Sequence, residues 1–166
     1  MKAILCADKN WGIGYKNKLL ISIPSDMRFF RETTTGNVVI MGRRTLESFP
    51  GGQPLKNRVN IVLTRKPDYA VPGVIVVHSI EELMAVAVQY NTEHLYVIGG
   101  GSVYSQLLPY CDTVYVTRVD YAYHADTFFP DLDAAPEWEM VSEGEEQTCF
   151  DIEFAFCVYK RIVTIA

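Results

Sequence analysis

Leu95-Tyr96-Val97-Ile98-Gly99-Gly100-Gly101-Ser102-Val103-Tyr104 is the stretch on which the fold turns. The apolar run Leu95–Ile98 reads as a buried strand, and three glycines end it before a helical stretch begins. A strand that breaks on glycine and continues as a helix is a building unit of parallel α/β sheets. The same turn lets backbone N–H groups approach an anion, usually a phosphate. It lacks the G-x-G-x-x-G spacing of the common dinucleotide fingerprint. Alone, it serves a tight structural corner as well as it serves a ligand site.

The same alternation extends to either side. Strand-like runs fall at Lys2–Ala7, Asn37–Met41, Val59–Leu63, Val74–Val77, Leu95–Ile98 and Thr113–Val119. Helical patterns fall between several of them, at Ser25–Thr34, Arg44–Phe49, Ile80–Gln89 and Ser102–Leu108. This predicts an α/β fold with a mostly parallel central sheet and helices on both faces. Glu139–Ser142 and Phe154–Val163 are joined without a helix, which predicts an antiparallel hairpin on one edge. No repeat, low-complexity tract or linker interrupts residues 1–166, so a single domain is expected.

Composition narrows the function. Hydrophobic residues make up 49% and charged residues 21%, as in a soluble globular protein. No apolar run is long enough to span a membrane, and the N-terminus lacks the pattern of a secretion signal. Cys6, Cys111, Cys149 and Cys157 show no C-x-x-C or metal-ligand spacing, which points to free thiols in a reducing cytoplasm and to no metal. His78, His94 and His124 lie beside no obvious nucleophile. The net charge of −5 argues against nucleic acid. Yet Arg43, Arg44, Lys56, Arg58, Arg65 and Lys66 fall in one segment against the single acid Glu47, while no Lys or Arg occurs between Val119 and Tyr159. A basic segment in an acidic chain suggests a local anion site.

Asp8–Ile23 carries Trp11, Ile13, Tyr15, Leu19, Leu20 and Ile21 without a sustained period. A long loop this apolar reads as a lid over a pocket. On a helical wheel of about 100° per residue, Asp26 shares its face with Met27, Phe29, Phe30, Thr33 and Thr34, opposite Arg28, Arg31 and Glu32. An acid in the first helical turn complements the helix dipole on any face. Its place among aromatics favours a second role, holding a cationic or N–H-rich ligand. Gly42-Arg43-Arg44-Thr45 and Thr64-Arg65-Lys66 follow strands as Gly99–Gly101 does. In a parallel sheet these three strand ends share one rim, where ligands bind. Arg58, before its strand, sits at the opposite end and could meet a separate anion. With one inward acid and no nucleophile, the chemistry has to come from a bound cofactor, and a nicotinamide suits that inventory.

At this point the chain resembles dihydrofolate reductase over nearly its whole length. The pieces that carry the resemblance are Gly12-Ile13-Gly14, the run Ile23 to Phe30, Val39 to Thr45, Glu47-Ser48-Phe49-Pro50, Arg58 to Arg65, Ile98 to Gly101, Val116-Thr117 and Ala125 to Pro130. The resemblance implies NADPH-dependent reduction of 7,8-dihydrofolate to tetrahydrofolate in support of one-carbon metabolism and thymidylate synthesis. It implies antifolate inhibitors as further ligands and a cytoplasmic monomer. Asp26, supported by Thr117, would bind the pterin N3 and 2-amino group. Ile4, Met27, Phe30, Phe49, Leu55 and Ile98 would pack the substrate, with Arg58 on its glutamate carboxylate. Cys6, Ala7, Ile13, Gly14, Leu19 and Leu63 would contact the cofactor. Gly42, Arg43, Arg44, Thr45, Gly99, Gly100, Gly101, Ser102, Val103 and Tyr104 would hold its phosphates. Thr64, Arg65 and His78 would recognise the 2′-phosphate.

The chain departs from the family in places. Leu20-Ile21 stands where Pro-Trp is usual, Leu46 where an aromatic is common, and Cys6 where alanine is frequent. Two other readings compete: a fold-related, NADPH-dependent reductase of riboflavin synthesis, and a nucleotide-binding module without catalysis. The Phe-lined Asp26 helix and Arg58 favour the folate reading.

Overall fold

The computed structural model describes residues 1–162, so Val163, placed by its apolar run in the last strand, lies outside them. In chain order the strands are β1 (Lys2–Ala7), β2 (Gly12–Gly14), β3 (Val38–Gly42), β4 (Val59–Leu63), β5 (Val74–Val77), β6 (Leu95–Gly99), β7 (Thr113–Val119), β8 (Thr127–Phe128), β9 (Trp138–Glu143), β10 (Gln147–Cys149) and β11 (Ile152–Arg161). The α-helices are α1 (Pro24–Thr34), α2 (Arg43–Glu47), α3 (Ile80–Ala87) and α4 (Gly101–Leu107).

The main sheet runs β11-β7-β1-β6-β3-β4-β5, with β10 and β9 sharing the free side of β11. Every pair from β7 to β5 is parallel. β11 is antiparallel to β7 from Phe154–Val119 to Lys160–Thr113. The parallel sheet and antiparallel edge foreseen from the helix-free tail are therefore present. The alternation of side chains along each strand divides the core in two. Val38, Ile40, Ile61 and Val97 pack with Leu83 and Ala87 of α3 and with Val103, Tyr104 and Leu107 of α4. Val39, Met41 and Val62 face the other way, onto Leu46 of α2. On that same face Phe29 of α1 packs against Phe156 of β11, the rings tilted at 46° with 5.1 Å between centroids.

Local chemistry explains the element ends. Pro24 opens α1, where its missing N–H costs nothing. Ser79 caps α3 by accepting from Glu82 N–H at 3.1 Å. β2, β8 and β10 were not foreseen. They span three, two and three residues, too short for a period-two pattern to register. The strand expected from Asn37 begins one residue later, at Val38, because Asn37 closes a turn back onto Thr34 and its side chain donates to Thr33 O.

Candidate active site

α1 and α2 flank a groove on one sheet face. β1 and β6 lie between the strands these helices cover, so Ile4, Cys6 and Ile98 form its floor. The register sets Ile4 beside Tyr115, and Cys6 beside Thr117. Asp26 enters from the first turn of α1, where Thr117 Oγ1 donates to its Oδ1 at 2.5 Å. Burial pushes the Asp26 carboxyl above its ordinary value, and the Thr117 hydrogen bond opposes that rise. The neighbouring Cys6 thiol is also pushed up, first by burial and then by Asp26 and Asp8, so it stays a neutral thiol. A desolvated carboxylate held by a buried hydroxyl thus stands over the apolar residues of the groove floor.

The remaining substrate-side residues are divided between the α2 and α1 sides of the groove. Phe49, Leu55 and Ile98 pack against the α2 cluster, while Met27 stays 48% exposed in the first turns of α1 and Phe30 is half-buried. Arg58 donates to Lys56 O at 2.9 Å and to Thr34 Oγ1 at 3.1 Å, which ties it to the end of α1. Burial and then the nearby Arg31 lower its pKa. Arg31 therefore adds a second positive charge beside Arg58. The wheel had set it aside on the outer arc, because a long side chain can reach along a helix end that a wheel treats as a point.

At the other side of the groove the two glycine corners converge, since Met41 pairs with Gly99. A methyl group on Gly42 would stand 3.1 Å from Val103 Cγ2, and one on Gly100 would stand 3.6 Å from Thr45 Oγ1. α2 and α4 both begin without a side-chain cap, leaving first-turn N–H groups to face this junction. The glycine run has a structural use as well. Gly99 has φ +124°, and a Cβ on Gly101 would meet Thr127 Cγ2 at 2.6 Å. The tight-corner explanation therefore covers Gly99 and Gly101, and Gly100 is the one left open toward Thr45. The Gly99–Gly100 peptide is cis.

Several expected cofactor residues are placed less directly. Val103 and Tyr104 are buried, Val103 packing its side chain beneath Gly42 and Tyr104 Oη donating to Ile4 O at 2.8 Å, so neither side chain is free to reach a phosphate. Ser102 is exposed, and its Oγ accepts from Gln106. Arg43 is engaged with Glu47 at 2.9 and 3.0 Å, while Arg44 is exposed. Leu63 packs against the main core, and Ala7 is buried within it. Thr64 and His78 meet at the next strand ends, His78 Nδ1 lying 2.9 Å from Thr64 O, with Arg65 exposed beside them.

The lid folds back over the β1 end of the groove. β2 pairs with β8, Gly14 O accepts from Asp126 N–H, and Asp126 Oδ2 accepts from Lys16 N–H at 2.9 Å. The Lys16 N–H and then the Thr127 hydroxyl hold the Asp126 carboxyl below its ordinary value. Cys6, Asp8, Gly12, Ile13, Leu19, Leu20 and Ile21 enclose a cavity of about 10 Å³, the size of one water. Leu19 is nevertheless 69% exposed at the outer surface. Asp8 was missed as a site residue. It is 2% exposed and accepts from Gly12, Asn10 and Tyr123 N–H, so it pins the lid root. Its signal was present as an Asx turn, an Asp followed two residues later by Asn at a strand end.

A mostly parallel α/β sheet with uncapped helix starts on its ligand rim and a desolvated acid in its groove fits an enzyme that works with a phosphate-bearing cofactor. The comparisons narrow this to a family. The family model for dihydrofolate reductase matches residues 1–161. Dihydrofolate reductase of Bacillus subtilis (strain 168) is 37% identical over 155 residues, covering 91% of this chain and 89% of the relative. That of Staphylococcus aureus (strain N315) is 35% identical over 133 residues, covering 80% and 79%. The solved dihydrofolate reductase from Enterococcus faecalis, complexed with NADP(H) and RAB-propyl, superposes with a TM-score of 0.84 at 38% identity, covering 96% of this chain and 95% of that one. The chain belongs to the dihydrofolate reductase family, and it is an NADP-dependent enzyme. The riboflavin-pathway and non-catalytic alternatives are set aside.

Proposed function

We propose that this protein reduces 7,8-dihydrofolate to 5,6,7,8-tetrahydrofolate, and that the Asp26–Thr117 pair in the apolar groove carries the assignment. A pteridine ring offers adjacent N–H donors at N3 and the 2-amino group, which a carboxylate accepts as a matched pair. Asp26 supplies that acceptor. Thr117 fixes its rotamer, and Ile4, Met27, Phe30, Phe49, Leu55 and Ile98 wall the rings. Arg58, with Arg31 beside it, faces the place where the substrate glutamate would end.

The rim fits a phosphorylated dinucleotide. Its donors are the uncapped starts of α2 and α4 and the side chains of Arg44, Thr45, Thr64, Arg65 and His78. Bound NADPH supplies a hydride to pterin C6. The protein's part is to orient the pterin through Asp26, to cover the reaction with Ile13, Gly14 and Leu19, and to keep Cys6 and Ala7 close to the nicotinamide side. N5 then takes a proton, from water admitted beneath the lid. Arg43 reaches a phosphate only by exchanging its bond to Glu47.

The four thiols, all unpaired, support a reducing cytoplasmic setting. No helix among the described residues is long and apolar enough to cross a membrane. One nine-stranded sheet joining β1, β3 to β7 and β9 to β11 supports a single domain, which we read as a monomer with antifolates as competitors for the groove. The deciding experiment follows NADPH oxidation in the presence of dihydrofolate, for the wild type and for Asp26→Asn. Turnover that collapses in the variant supports the assignment. A wild type that leaves dihydrofolate untouched at neutral pH overturns it.

A further inference from the structure

Arg118 follows Thr117 on β7, and alternation sends its side chain to the opposite sheet face. There its guanidinium carbon lies 4.0 Å from the centroid of the Trp11 ring. Its Nη1 donates to Asp133 Oδ2 at 3.0 Å and to Tyr159 Oη at 3.3 Å, and its Nη2 donates to Lys9 O at 3.4 Å. Tyr159 Oη in turn donates to Asp133 Oδ1 at 2.7 Å. Trp11 is 4% exposed and packs against both Phe129 and Tyr159. Its φ of +63° is a left-handed conformation that bulky residues rarely adopt, so surrounding contacts must hold it. Gly12 and β2 begin at the very next residue, and Phe129 N–H closes the far side of the lid onto Trp11 O at 2.9 Å.

We propose that Arg118 is a positioning residue for the lid. It clamps Trp11 and Lys9 O so that Gly12–Gly14 lies over the groove that Asp26 enters. The inference rests on the dihydrofolate reductase reading for its kinetic consequence, though not for its conformational one. β7 then serves both sides of the reaction, Thr117 setting the substrate carboxylate on one face and Arg118 setting the lid root on the other. Arg118 Nε is buried with no hydrogen-bond partner, a burden that an apolar side chain of the same length would not carry. Stability alone therefore does not account for an arginine here, whereas a fork that reaches Trp11, Lys9 and Asp133 together does.

The test compares wild type with Arg118→Met, Arg118→Lys and Trp11→Phe. Amide hydrogen exchange of the protein without ligands reads the conformational claim. Arg118→Met should speed exchange at Gly12 and Phe129 by about 10-fold or more while amides in the β3–β4 core keep their protection. Arg118→Lys, which keeps the cation but loses the fork, should fall between. In turnover with NADPH deuterated at the transferred position, Arg118→Met should lower kcat by about 10-fold and raise the isotope effect on kcat, with the KM for dihydrofolate little changed. Trp11→Phe combined with Arg118→Met should cost less than the sum of the two, since both act through one contact. Unchanged exchange at Gly12, or equal acceleration at every amide, overturns the proposal. So does a loss of kcat that active-site titration fully explains, with no change in the isotope effect. If the wild type fails to reduce dihydrofolate, the functional reading falls, and the exchange measurement still judges the clamp.

Discussion

At the α1 wall of the groove one carboxylate is desolvated and held by one hydroxyl. At the α2–α4 rim, backbone N–H groups, small residues and exposed cations are spread over three strand ends. The first arrangement concentrates recognition in a single low-dielectric contact, where losing a partner leaves a buried charge or ring N–H unsatisfied. The second distributes it over solvated contacts that are individually weak and screened by salt. Substitutions at the two ends should therefore differ in size as well as in which ligand they affect.

The largest effect is expected at Asp26. Asp26→Asn should slow hydride transfer at pH 7 by about 10²–10³-fold with NADPH affinity nearly unchanged, read by single-turnover kinetics and nucleotide titration. The same variant should be more heat-stable at neutral pH. The folded-state pKa of Asp26 lies above its unfolded value, so its contribution to stability is present at low pH and is lost as pH rises through the folded value. Asn removes that penalty, and melting curves should converge below about pH 4, where the unfolded carboxyl is protonated too. Next comes Thr117→Ala, which should cost about 10-fold in kcat. It should also move the acid limb of the pH profile upward, because the hydroxyl that stabilises the ionised form is gone. At the rim, Arg65→Ala should raise the KM for NADPH by about 5-fold while leaving NADH unchanged, and the gap should shrink in high salt. Smallest is Glu47→Gln, which removes a half-exposed i,i+4 pair from α2 and should change stability by about 0.5 kcal/mol or less. If Arg65 outweighed Asp26, the contrast between the two ends would be gone.

How far the chain discloses these ends follows the same contrast. The parallel strands are apolar runs buried on both faces, so their pattern survives in the sequence, and β1, β4, β5 and β7 occur at the expected residues. Asp26 is legible because a charge among Met27, Phe29 and Phe30 has no ordinary explanation. The rim is only half legible. Strand–glycine corners announce its location, but no periodicity tells that Val103 and Tyr104 point into the core, or that Arg43 is engaged by Glu47. Leu19 at 69% exposure and Asp8 at 2% run against the simple rule of apolar inside and charged outside. Both follow from a lid whose shape is set by pairing with β8 and by Asx-turn hydrogen bonds, which are tertiary facts.

β1 occupies the middle of the sheet, yet it is the first strand of the chain, and its partners β6 and β7 are made about a hundred residues later. During synthesis Ala3, Ile4 and Leu5 therefore emerge long before anything exists to pair with them. The nascent chain carries an unpaired apolar strand until β6 and β7 are made, an edge open to early aggregation. Its yield in the cell should depend on how quickly β6 and β7 follow, as well as on the stability of the finished fold.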